Sequence, residues 1–176
     1  FYNIADSIVA GQFLGVRALA AIGSTGSLMF FVTGWLNGLS SGFAILVAQW
    51  FGAKKYDRMR HYVAMSIYLM VAFAVAMTIG FANRPIMHLM NYSEEIMPDV
   101  TSYMGIIYAG LIVTAAYNAL AAFLRALGDS KSPLYFLIIS AAINVLLDIV
   151  FIIYVGMGVE GCAYATVIAQ AISAIL

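Results

Sequence analysis

Residues 132–155, SPLYFLIISAAINVLLDIVFIIYV, are apolar throughout except for Ser132, Ser140, Asn144 and Asp148. A helix needs about 20 apolar residues to cross a bilayer, and this stretch supplies them. A carboxylate sits well inside it. On insertion scales an Asp at the centre of a membrane helix costs roughly 2.5–3.5 kcal/mol, so such a residue defaults to a functional site. Asn144 and Asp148 are four residues apart and stack on one helix face. The chain reads as organised around that polar face.

Composition agrees with a membrane setting. The 176 residues are 64% hydrophobic and 9% charged, where a soluble chain averages about 25% charged residues. The protein is therefore expected to be an all-α, polytopic membrane protein with the lipid bilayer as its surroundings. Net charge is zero, so no nucleic-acid partner is expected, and the one Cys excludes an intrachain disulfide framework. The chain opens at Phe1 inside an apolar run and stops at Leu176 inside another, without an initiator Met or signal peptide. It is expected to be a piece of a longer protein whose first and last helices here are truncated.

Six spans are predicted, at about 1–14, 24–51, 61–82, 100–124, 133–155 and 161–176, forming one unit over 1–176. Within the second, Gly34, Gly38 and Gly42 recur every four residues, a spacing that lets two helices approach closely in lipid. AKKYDRMRH, 53–61, reads as a basic loop. Asp99 or Thr101 is expected to cap the fourth span, and Ser132 followed by Pro133 to cap and open the fifth.

Loop charges set the orientation. Lys54, Lys55, Arg58, Arg60, Arg125 and Lys131 fall in the second-to-third and fourth-to-fifth loops. The remaining loops hold only Arg17 and Arg84, beside Glu94, Glu95, Asp99 and Glu160. By the positive-inside rule the basic set is cytoplasmic, and Trp50, Tyr56 and Tyr62 flank it as an interfacial belt. At ~1.5 Å of rise per residue, Asp6 then lies ~14 Å below the outer surface, Asp148 ~12 Å and Thr166 ~8 Å. Three polar residues on three helices fall at similar levels in the outer half of the membrane, which predicts one shared site. Two carboxylates with an amide and a hydroxyl suit Na⁺ or a shared proton.

Other signals are read as structural. Gly156, Gly158 and Gly161 spell G-x-G-x-x-G without the βαβ setting a dinucleotide site requires, so they mark a tight turn. His61 and His88 fall in predicted loops without metal-ligand spacing. Cys162 reads as packing. Asn91-Tyr92-Ser93 is a formal glycosylation sequon on the predicted outer side. No catalytic nucleophile, phosphate loop or cofactor motif is found.

Four segments carry a resemblance: DSIVAGQFLGVRALAAIGS, RALGDSKSP, NVLLD and GMGVEGCAYATVIAQ, in that order and over nearly the whole chain. Together they resemble the multidrug and toxic compound extrusion (MATE) family. The resemblance implies a six-transmembrane-helix lobe, the first of a twelve-helix two-lobe transporter. It implies a multi-pass protein of the bacterial cytoplasmic membrane that exports small organic cations, amphipathic drugs or toxic compounds, in exchange for Na⁺ or H⁺ by alternating access. The second six-helix lobe would be the partner. Asp6 matches the family's acidic residue on helix one, and Asn144 with Asp148 matches its Asn-x-x-x-Asp pair on helix five. Thr166 matches a hydroxyl ligand of the cation site, and Tyr2 a nearby tyrosine of some members. Asp6, Asn144, Asp148 and Thr166 are thus the expected cation-coupling site, with Na⁺ or H⁺ as coupling ion and no other cofactor.

Two rivals stand beside this reading. One is a flippase for a lipid-linked saccharide of the same broad superfamily, which would line its cavity with Lys and Arg. The other is an intramembrane enzyme using Asp6 and Asp148 as an aspartyl pair. The predicted span interiors hold no Lys or Arg, and no second catalytic motif is present.

Overall fold

The structure is a computed structural model that describes residues 2–81 and 92–176. Its described residues form α1 (Tyr2–Phe13), α2 (Val16–Ser24), α3 (Gly26–Gly52), α4 (Tyr56–Phe81), α5 (Met97–Ala109), α6 (Leu111–Ala126), α7 (Lys131–Ile149) and α8 (Val159–Ile175). A single π-helical turn, Val150–Tyr154, continues α7. Helices and closed barrels alone satisfy every backbone group in lipid, and no strand occurs among the described residues. The all-α membrane fold expected from the sequence is the fold found.

α7 packs along α8, α3 along α4 and α6, α4 along α6, and α5 along α8. The interior mixes small side chains, Ala10, Ala21, Ala74, Ala115, Ala163, Ala165 and Ala169, with a few large ones such as Tyr103, Tyr108, Leu36 and Met104. Large apolar side chains such as Phe30, Leu146 and Tyr154 point outward. So many exposed large apolar side chains depart from a soluble protein's pattern. Where lipid surrounds the helices, small residues let backbones approach and large ones meet acyl chains. The closest approach is at Gly110, where an added Cβ would lie 2.4 Å from Val167 Cγ2.

Several boundaries differ from expectation. The second span starts not near 24 but at Val16, because Gly15, at φ 89°, is the actual break. Residues 16–52 then form one stretch of 37 residues, ~55 Å at 1.5 Å per residue and longer than a bilayer core of ~30 Å. The basic loop is mostly helix. α4 begins at Tyr56, so Arg58, Arg60 and His61 sit on its first turns, and only residues 53–55 turn the chain, with Lys54 at φ 56°. Charged residues at a helix end leaving the membrane remain good helix formers, so charge alone misplaces the loop.

Neither expected cap is used. α5 starts at Met97, ahead of Asp99, which instead pairs with Arg17 at 2.8 Å; Thr101 donates to the Met97 carbonyl. α7 starts at Lys131, ahead of Ser132, because Asp129 Oδ1 accepts the backbone N–H groups of Lys131 and Ser132. The fourth span is bent by 50° between α5 and α6. The glycine turn behaves as read: Gly156 sits at φ 74° between the π-helical turn and α8.

Among the described residues nothing stands within 4 Å of where a Cβ of Gly34, Gly38 or Gly42 would lie, so the close helix approach expected from their spacing is not made there. Among the described residues, three helical stretches are long and apolar enough to cross a membrane, four if the bent α5–α6 pair counts as one. α1, of 12 residues, and α8, of 17, are shorter. Arg84, His88 and Asn91 lie outside the described residues.

Candidate functional site

The buried stripe of α7 explains how the site is positioned. Ser140, Asn144 and Asp148 recur every four residues, and all three have 0% exposure. That spacing places them in a row along one face. α8 runs antiparallel against this row. Asp148 lies beside Cys162, Asn144 bonds Thr166, Ser140 bonds the Ala169 carbonyl, and the Phe136 carbonyl accepts from Ser173. α1 lays Asp6 across the same groove, also at 0% exposure.

Asp6 is the centre of the cluster. Its Oδ2 accepts from the Tyr103 hydroxyl at 2.8 Å, and its Oδ1 from Asn144 Nδ2 at 3.2 Å. The Thr166 hydroxyl donates to both carboxylate oxygens, at 3.2 and 3.0 Å. Asn144 Nδ2 also donates to Thr166 Oγ1 at 3.2 Å. Four helices, α1, α5, α7 and α8, therefore meet at one carboxylate. An ionised carboxylate only accepts hydrogen bonds, and Asp6 is surrounded by donors.

Asp148 differs. Neither of its oxygens makes a hydrogen bond of ordinary geometry; the Asp6 carboxyl and the Cys162 thiol are the polar groups that interact with it. Asn144 Oδ1 is also buried without a partner. Three free acceptor oxygens thus adjoin a fully satisfied carboxylate. Isolated buried charge is costly, and buried polar groups are normally bonded, so these oxygens are disposed to receive a proton or a cation. Among the described residues, every Lys and Arg is exposed and no group of three or more His, Cys, Asp or Glu converges on a metal position.

Of the residues singled out in the sequence, Asp6, Asn144 and Thr166 are in direct contact and Asp148 adjoins them. Tyr2 is one turn away. Its hydroxyl lies 2.8 Å from Ser140 Oγ, which itself donates to the Ala169 carbonyl at 2.7 Å, leaving Tyr2 as the donor. Tyr103 was not singled out. It stands just inside the outer end of the fourth span, so the depth arithmetic that groups Asp6 with Asp148 also reaches it, but a tyrosine there reads as an interfacial residue.

Comparison with known proteins identifies the family. The MatE family model matches residues 1–150, and the chain belongs to that family. It is 28% identical over 174 residues to a probable multidrug resistance protein, YpnP, of Bacillus subtilis (strain 168), covering 98% of this chain and 39% of the relative. It is 33% identical over 172 residues to a second such protein of that organism, YoeA, covering 94% and 37%. A multidrug resistance MATE family transporter of the MOP superfamily, solved in an inward-facing conformation, superimposes with a TM-score of 0.93 at 26% identity; the match covers 99% of this chain and 40% of that one. The chain thus spans about two fifths of the length of the relatives it matches, consistent with one lobe of a two-lobe, multi-pass membrane protein.

Proposed function

We propose that this chain is the first six-helix lobe of a cation-coupled antiporter of the cytoplasmic membrane. The transporter exports cationic amphipathic drugs or toxic compounds in exchange for Na⁺ or H⁺. The observation that carries the reading is the pair of fully buried carboxylates, Asp6 and Asp148, while every Lys and Arg among the described residues is exposed. Two acids buried without a cationic side chain need a mobile positive charge, which a coupling ion supplies.

In this mechanism Asp148 and Asn144 Oδ1 offer acceptors to the arriving ion. Asn144, Thr166 and Tyr103 hold Asp6 in place, and so tie α1, α5, α7 and α8 together at the point of ion binding. Release of the ion leaves charge in the cluster and loosens the packing of α1 against α7 and α8. Exchange then requires that ion and drug prefer different packings of the lobe. The open face of α3 suits the drug. Phe30, Phe31 and Trp35 stand beside Gly34 and Gly38 around a groove of about 640 Å³, and aromatic faces attract organic cations. That face would meet the second lobe. The exposed positions of Lys and Arg disfavour an anionic lipid-linked saccharide in this lobe.

The test uses the full-length protein in proteoliposomes with a fluorescent cationic dye, under an imposed Na⁺ gradient or an imposed pH gradient. Wild type transports under one of them, which names the ion. Asp148→Asn, inserted and folded, does not transport. Full transport by that variant would remove Asp148 from the mechanism.

A further inference from the structure

The coupling cluster does not use all the polar groups buried in this lobe. Below it, toward the basic side, α7 and α8 continue to bury polar side chains on their shared face. Ser140 (0% exposed) stands one turn from Asn144, Gln170 one turn from Thr166, and Ser173 a further turn along α8. Each is bonded across the helix boundary. Ser140 holds Tyr2 and the Ala169 carbonyl, Gln170 accepts from Thr114 of α6, and Ser173 donates to the Phe136 carbonyl and adjoins the Tyr117 hydroxyl. Successive rungs on α7 are four residues apart, ~6 Å at helical rise. The ladder ends at a cavity of about 250 Å³ between the ends of α6, α7 and α8, lined by Tyr117, Leu124, Pro133, Phe136, Ser173 and Leu176. Arg125 and Lys131, at the nearby ends of α6 and α7, belong to the basic set.

Packing alone does not call for this arrangement. Elsewhere in the lobe a buried hydroxyl bonds first to the turn before it: Ser40 donates to the Leu36 carbonyl at 2.7 Å and reaches Met70 Sδ of α4 only at 3.8 Å, and Thr25 donates to the Ile22 carbonyl. The ladder groups are instead bonded across three helix boundaries, α1 to α7, α7 to α8 and α6 to α8. At its upper end Asn144 Oδ1, buried and without a partner, points to a ligand that the protein does not itself supply.

We infer that the rungs Asn144, Ser140–Gln170 and Ser173–Tyr117 form a path by which the coupling ion passes between the Asp6–Asp148 pair and the cytoplasmic side, within this lobe and separate from the drug's route. The inference rests on the coupling-site reading above. A path residue differs from a site residue in one measurable respect. It lowers the barrier to exchange, so its loss slows turnover without changing equilibria.

The test takes full-length protein with Gln170→Leu, Ser140→Ala, or Ser40→Ala as a control that removes a buried hydroxyl off the path. Two quantities are read: dye affinity against coupling-ion concentration in detergent, where both faces are open, and transport rate in proteoliposomes at a limiting ion gradient. The path predicts that Gln170→Leu and Ser140→Ala keep the wild-type ion dependence of dye affinity while transport falls about tenfold, the change a barrier rise of about 1.4 kcal/mol produces. Ser40→Ala should leave both quantities unchanged. Wild-type rates in both path variants would overturn the inference. So would a change in ion dependence together with rate, which would make these residues positioning groups. If dye affinity in wild type does not respond to the ion at all, the coupling-site reading fails instead.

Discussion

Gly110→Ala tests whether the close approach of α8 to the α5–α6 bend holds the site. A Cβ at position 110 would stand 2.4 Å from Val167 Cγ2, 2.9 Å from Cγ1 and 3.2 Å from Cβ, where ordinary contact begins at 3.4 Å. Val167 cannot rotate away, because a helical valine has one strongly preferred rotamer. α8 must therefore move by about 1 Å. Thr166, the preceding residue, bonds Asp6 at 3.0 and 3.2 Å; a 1 Å displacement takes both bonds to about 4 Å, beyond hydrogen-bond range. Overpacking costs about 1–3 kcal/mol, partly offset by about 0.5–1 kcal/mol from replacing glycine by alanine, so a net loss of about 0–2.5 kcal/mol in stability follows. A hydrogen bond to a charged acceptor contributes about 1.5–3 kcal/mol, so transport should fall about tenfold to a hundredfold. The assay is dye transport in proteoliposomes, with thermal unfolding as the stability measure. Val167→Ala removes both clashing methyl groups, so the Gly110→Ala/Val167→Ala double variant should recover most of the rate. Wild-type transport by Gly110→Ala alone would refute the reasoning, and so would a double variant no faster than the single one.

Two further outcomes follow from the same geometry. Tyr103→Phe deletes one donor to Asp6 Oδ2 and leaves the ring packing intact; it should shift the ion dependence of dye binding while the protein still inserts, and an unchanged dependence would count against Tyr103 as a positioning group. At the start of α7 the Ser132 hydroxyl and backbone N–H, with the N–H of Lys131, hold Asp129 below the usual aspartate range. The ionised form therefore contributes stability above the ordinary Asp pKa and loses it as pH falls through the lower folded value, so the difference in thermal midpoint between wild type and Asp129→Ala should shrink on acidification across that range.

How much of this was legible in the sequence depended on how a residue signals its surroundings. Asp6, Asn144, Asp148 and Thr166 could be found because a polar group in an apolar helix is conspicuous, and because depth along a helix follows from counting residues to its end. Tyr103 could not, since its hydroxyl is the only polar part of a side chain common at membrane interfaces. The bend at Gly110 and the π-helical turn after Asp148 leave no periodicity signal; the former depends on Val167, 57 residues further on. The basic segment reads as a loop although most of it is helix, because charge reports exposure, not backbone conformation. Its ring contacts lay beyond sequence reasoning as well: Tyr62 stacks on Trp50, and Lys55 and Arg58 lie over the same indole at 5.8 and 5.2 Å. The glycine repeat at 34, 38 and 42 reads as a close-packing surface, yet among the described residues nothing packs against it, and spacing alone does not say whether a partner face lies within the same lobe.

The central claim is that the buried carboxylates bind an ion in competition with the exported compound. The most direct measurement is the affinity of full-length, purified protein for a cationic dye across a series of Na⁺ concentrations and, separately, of pH values, in wild type and in Asp148→Asn. The account predicts that wild-type affinity weakens as the coupling ion is added, because coupling is reciprocal between the two ligands, and that Asp148→Asn loses this dependence. Wild-type affinity that is indifferent to both Na⁺ and pH, or an Asp148→Asn variant that keeps the full dependence, would contradict it.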